Sequence, residues 1–334
     1  MFHRLRFSSI IALAMFPASA WAQNLLPSLD NPKLRFGTGG VKHNQPEVSD
    51  LLPDLPGPAS GWYLAQWHQN SIISAGSLQH GVGPADPLLG LPLYSYTSPN
   101  KQTSITVYKD KESDHLVWRL YEHGGWLTNG GGSNLFLSTN LPRGGVNFSQ
   151  HLTFSFDARL TDAMVQFSTP TAERTGAVLG MAFSGMVVTF PNPLTGIPST
   201  LFLQLSLANS LERTTPQIAC REINGSLRIL FGGYLGAKLP LSFTPGSSLE
   251  HVSYNLNQYE NAIFGEPLHC SINGKNTMVS MNSVNPAKII ITSLYIGLET
   301  ENIDKRPGAA AFGRPQGDVA MGLEVSNPTL TAIP

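Results

Sequence analysis

The feature that most constrains this 334-residue chain is a two-residue alternation of apolar and polar side chains that recurs along most of its length. From His151 to Leu160, Leu152, Phe154, Phe156, Ala158 and Leu160 share one face, while Thr153, Ser155, Asp157 and Arg159 share the other. An extended strand sorts side chains with that period and a helix does not. Leu201, Leu203, Leu205 and Leu207 repeat the pattern, with Gln204 and Ser206 opposite. Ser104 to Lys109 and Leu116 to Tyr121 are two further strands joined by the polar stretch 110–115, which predicts a hairpin. Longer apolar runs at 177–190, 289–298 and 319–331 suit the central strands of two stacked sheets. There is no βα alternation and no internal repeat, which excludes doubly wound, βα-barrel and solenoid architectures. Only Val252, Leu256, Tyr259 and Ile263 fall at helical spacing, predicting one short helix over 255–264 that Gly265 and Pro267 end. The expectation is an all-β, antiparallel two-sheet sandwich.

The ends of the chain carry different signals. Residues 1–22 read as a secretory signal peptide, with His3, Arg4 and Arg6 before the apolar run Ile10 to Phe16 and a small-x-small cleavage site at Ala20-Trp21-Ala22. The expected location is therefore periplasmic or extracellular, with no membrane span after cleavage. Residues 23–60 are rich in proline and lack periodicity, so they read as an extended arm or linker before a single domain over 61–334. Removal of Arg4 and Arg6 changes the balance from 21 basic against 22 acidic residues to 19 against 22. A net charge of −3 offers nothing to nucleic acid or to an anionic membrane.

Cys220 and Cys270 would meet an oxidising compartment, where one disulfide is the simplest outcome. Each leads into an Asn-Gly turn, at Asn224-Gly225 and Asn273-Gly274. No metal site is expected from two thiols without a His pair or a second Cys pair. No cofactor is expected either. A structural calcium ion is compatible with this class of fold, although no dense acidic cluster marks a site for one.

The chain has no G-x-S-x-G elbow, no H-E-x-x-H helix and no phosphate-cradling loop, so it carries no serine-triad, zincin or nucleotide signature. What remains is aromatic and polar. Along Leu116 to His123, Trp118 and Leu120 point to one face with Glu122 at their end, and Arg119, Tyr121 and His123 point to the other. If that second face is concave, Arg119, Tyr121, His123, Gln66 and Trp126 make a ligand-binding surface of stacking rings and hydrogen-bonding groups. The glycine-dense stretch 124–134 beside it reads as a loop. Glu299 and Glu301 would project to one side of a strand with Tyr295, and glycoside chemistry needs two carboxyls about 5 to 10 Å apart. Glu299, Glu122, Tyr121 and His123 are accordingly the catalytic candidates.

The closing pattern Leu294-Tyr295-Ile296-Gly297-Leu298-Glu299, then a Gly/Pro-rich loop, then Gly322 to Leu330, resembles the last strands of secreted jelly-roll, concanavalin-like sandwiches. That group holds carbohydrate-binding modules, glycoside hydrolases and polysaccharide lyases. The resemblance implies a jelly-roll sandwich that binds a carbohydrate or polysaccharide on its concave face. A hydrolase or lyase is the alternative, and a non-catalytic structural or surface-assembly protein the third. The catalytic signatures of the group are not found in this chain, so no catalytic residue follows from the resemblance.

Overall fold

The computed structural model describes residues 24–31, 34–39, 47–50, 61–67, 73, 78–83, 85–124, 131–148, 150–167, 178–209, 217–233, 248–302 and 317–333. Two mainly antiparallel sheets stack as a jelly-roll sandwich. The smaller has seven strands, in the order Glu250–Asn255, His151–Phe167, Gly317–Ile333, Leu116–His123, Thr103–Lys109, Tyr94–Thr97 and Leu78–His80. The larger has twelve strands, with Val178–Pro191, Ile290–Asn302 and Gly131–Asn140 at its middle. On one side it continues through Pro198–Asn209, Ser226–Gly233, Gln217–Ile223, Leu268–Ile272 and Lys275–Val279. On the other it continues through Trp62–Trp67, Arg35–Gly39 and Glu47–Asp50. Three pairings are parallel, including Arg35–Gly39 with Trp62–Trp67 and Pro198–Asn209 with Ser226–Gly233.

The alternation read from the sequence decides what lies between the sheets. Leu152, Phe154, Phe156 and Ala158 of the smaller sheet face Leu201, Leu203, Leu294, Ile296 and Leu298 of the larger one, all in one buried cluster. Fully burying such a side chain contributes about 2 kcal/mol. The hairpin Thr103–Lys109 to Leu116–His123 forms in the register that brings Lys109 opposite Leu116.

Two elements differ from expectation. Over 255–264 the backbone makes a 3-10 turn at Leu256–Tyr259 and then a π turn at Asn261–Gly265, because Val252 is already committed to the strand Glu250–Asn255. Leu256, Tyr259 and Ile263 are nevertheless buried, as their spacing predicts. Within 23–60, part of the segment read as an arm is built into the sandwich. Leu26, Leu29 and Leu34 lie in the core, and Arg35–Gly39 pairs with Trp62–Trp67. The tryptophans explain the docking: Trp62 Nε1 donates to the Pro27 carbonyl at 2.8 Å and Trp118 Nε1 to the Leu29 carbonyl at 3.0 Å. A buried indole N–H needs such an acceptor. The folded body therefore starts before Gly61. The signal-peptide reading falls on residues outside those described.

Cys220 and Cys270 are bonded, with Cα atoms 4.4 Å apart. They join adjacent strands, Gln217–Ile223 and Leu268–Ile272, at the start of two hairpins. Both Asn-Gly turns adopt positive φ at each residue: 53° and 80° at Asn224-Gly225, 50° and 73° at Asn273-Gly274. That is the two-residue turn whose twist matches the flanking strands.

Candidate functional site

The candidate site is built on the outer face of the larger sheet, where four neighbouring strands bring three rungs of side chains into line. In the first rung Tyr63, Ser138, Tyr295 and Gly185 are successive register partners. In the second, Ala65, Phe136, Gly297 and Phe183 are aligned in the same way. In the third, Asn134, Glu299 and Met181 are aligned.

Glycines make room for the rings on the sheet. A Cβ at Gly185 would strike the Tyr295 ring at 2.5 Å, and one at Gly297 would strike the Phe136 ring at 2.5 Å. Tyr295 thereby reaches across to donate its hydroxyl to the Leu203 carbonyl at 3.2 Å. Phe136, Phe183 and Tyr295 form a compact aromatic cluster, with centroids 5.0 to 5.9 Å apart. Tyr63 and Met181 pack against it while staying partly exposed.

At the end of this floor stand two acids. Glu299 and Glu301 alternate along Ile290–Asn302 and so share the outer face. A protonated Glu299 can donate a hydrogen bond to the neighbouring Glu301 carboxyl. Burial raises the Glu299 carboxyl well above the usual carboxylate range, and the charge of Glu301 raises it further. With its amide nitrogen turned inward, Asn134 donates to Glu299 Oε1 at 3.2 Å.

The remaining sequence candidates do not gather here. Arg119, Tyr121 and His123 do share one face of their strand, but it is the outer face of the smaller sheet, the far side of the sandwich from Glu299. Arg119 is held in a balanced cluster of two arginines and two acids. Its Nε donates to Glu324 Oε1 at 2.8 Å and its Nη1 to the Tyr108 hydroxyl at 3.0 Å, and its Nη2 pairs with Asp86. Arg159 completes the set, bonding Glu324 at 2.5 Å and Asp86 at 2.7 Å. Glu324 is fully buried. Such a closed cluster braces the 86–90 turn against the sheet and leaves Arg119 committed to protein partners. His123 Nε2 lies 2.6 Å from Asp318 Oδ1.

Gln66 points into the sandwich, where its amide exchanges hydrogen bonds of 3.0 and 2.7 Å with the Ile73 backbone. Glu122 is buried between the sheets. Trp126 lies outside the described residues. The stretch 124–134 is not all loop, since Gly131–Asn140 is a strand. Sequence reading did not find Phe136 and Phe183, and it reached Asn134 only as the end of the glycine-dense loop. Their period-two pattern was visible, but which face was core on those strands was not.

Among the described residues no group of three or more His, Cys, Asp or Glu is placed to hold a metal ion, and no helix is long and apolar enough to cross a membrane.

No family model matches the chain, and comparison with curated proteins finds no match. Among solved structures, the chain is similar to the family 11 xylanase from Neocallimastix patriciarum, with a TM-score of 0.33 and 7% identity over 81% of this chain and 100% of that one. It is also similar to a cellulase derived from the Cel12A enzyme of Rhodothermus marinus, with a TM-score of 0.30 and 10% identity over 72% and 95% of the two chains. Likeness at this distance carries no argument about activity.

Proposed function

We propose that the outer face of the larger sheet binds a carbohydrate chain, in a protein that works outside the cytoplasm. The observation that carries this reading is the acid pair Glu299 and Glu301, partly exposed beside an aromatic cluster at whose edge Tyr63 is also partly exposed. A sugar presents apolar C–H faces to rings and hydroxyls to acids and amides, so Tyr63 stacks while Glu299, Glu301 and Asn134 hydrogen-bond.

Binding is favoured over hydrolysis by the placement of the acids. A retaining hydrolase holds its two carboxyls about 5 to 5.5 Å apart and an inverting one roughly 6.5 to 9.5 Å, with the glycosidic bond between them. Glu299 and Glu301 are neighbours on one face of one strand rather than on opposite sides of a bound sugar, and Glu122 lies behind the sheet.

The test is calorimetric titration with cellohexaose and xylohexaose. Saturable binding that falls about tenfold or more in Glu301→Ala and Tyr63→Ala is expected. Absence of binding at millimolar sugar by the folded protein would sink the reading. Release of new reducing ends that stops in Glu299→Gln would replace it with a hydrolase.

A further inference from the structure

Directly behind the two acids, a third carboxyl crosses the sandwich. Glu122 lies on the inner face of Leu116–His123 and is 1% exposed. The Ser133 hydroxyl, on the opposing sheet, donates to Glu122 Oε1. The Thr300 hydroxyl lies beside the same carboxyl, within reach of it. Ser133 and Thr300 are register partners, and the next rung of the same two strands is Asn134 with Glu299. Residues 299–301 therefore present a carboxyl outward, a hydroxyl inward toward Glu122, and a second carboxyl outward.

A carboxyl this deeply buried fits the protonated form. The protonated carboxyl donates to Thr300 Oγ1 while still accepting from Ser133, and no buried charge remains. An ionised Glu122 is supported by the Ser133 and Thr300 hydroxyls and, among the described residues, by no paired cation. Its flanking partners on the smaller sheet are Met321 and Thr103, and Gly180 lies beside Thr300 on the larger one. Among the described residues, Glu299 and Glu301 lie on the far side of the strand and the His123–Asp318 pair on the outer face of the smaller sheet.

We propose that Glu122 is a buried, proton-bearing strut, a positioning residue that holds the Glu299–Glu301 segment from behind and couples its own proton to theirs. The coupling to ligand rests on the reading of that outer face as a carbohydrate site; the strut itself does not. Burial pushes the Glu122 carboxyl up to about 8, offset in part by the Ser133 and Thr300 hydroxyls. Because this folded value lies above that of an unfolded glutamate, the stabilisation is full below the ordinary Glu range and declines as pH rises toward 8.

The experiment compares full-length wild type with Glu122→Gln, which keeps the size and the hydrogen bonds of the protonated acid. Thermal unfolding is followed from pH 5 to 8.5. Wild type is expected to lose about 5 to 10 °C more than Glu122→Gln across that range. Ser133→Ala, which removes a donor to the ionised form, moves the wild-type midpoint upward by about half a pH unit. Parallel stability curves for wild type and Glu122→Gln overturn the strut. In xylohexaose titrations, loss of the neighbouring acid lets Glu299 ionise earlier, so the alkaline limb of binding shifts down by about half a unit in Glu122→Gln. An unmoved limb with divergent stability curves overturns the coupling. Divergent curves in a protein that binds no sugar support the strut and overturn the carbohydrate reading.

Discussion

Glu324 shows how little a residue's own neighbourhood in sequence reveals about its role. It occupies an outward position on Gly317–Ile333 yet is fully buried, because Arg119 and Arg159 reach it from 205 and 165 residues away. Glu324→Gln leaves two buried guanidinium groups short of a charge and is expected to destabilise the protein by about 3 to 5 kcal/mol in denaturant unfolding. Asp86 behaves differently with pH. Burial pushes its carboxyl up, but the Leu89 and Leu88 N–H groups and Arg159 pull it below the usual range. Its stabilisation is present above the ordinary Asp value and is lost as pH falls through the folded one. Glu299 runs the other way, since its folded carboxyl is raised. Glu299→Gln should match wild type below the ordinary Glu range and exceed it in stability by pH 8, measured as the difference between two denaturant midpoints. The grouping of Arg119, Tyr121 and His123 on one face was legible from alternation alone. That Arg119 was already paired was not, because its partners are remote in the chain.

At the scale of elements, strands were read well and their outer surroundings poorly. The hairpins after Cys220 and Cys270 follow from Asn-Gly, a pair that adopts two consecutive positive φ values at low cost. The short helical segment forms where the buried spacing predicts it, as a 3-10 turn followed by a π turn after the strand Glu250–Asn255. The glycines of the central strands carry a meaning that sequence could not assign. A Cβ at Gly297 would meet the Leu135 carbonyl and the Phe136 ring together. Backbone cannot yield as a flexible side chain does, so Gly297→Ala is expected to cost about 2 kcal/mol or more and to weaken sugar binding with it. Gly232, whose added Cβ would meet only Gln204 at 3.7 Å, is the control, and Gly232→Ala should leave both stability and binding near wild type.

For the molecule as a whole, the disulfide and the leading segment close opposite flanks of the larger sheet. Cys220–Cys270 ties two hairpins at one flank and closes a separation of 50 residues. The chain-entropy model puts that constraint at about 4 kcal/mol, and Cys220→Ala with Cys270→Ala should lower stability by that order in unfolding under non-reducing conditions. At the other flank, residues 24–39 supply carbonyl acceptors to Trp62 and Trp118 and a parallel strand to the sheet. Alternation, turn chemistry and cysteine placement were local properties, and by themselves they determined that this chain is a disulfide-clipped all-β sandwich. Which face of each strand met solvent, which charges cancelled, and which acids stood together on an aromatic floor were decided only in three dimensions. The reason is physical: a period of two sorts side chains into two faces, but burial and pairing come from strands that are distant in sequence and adjacent only once the sheets form.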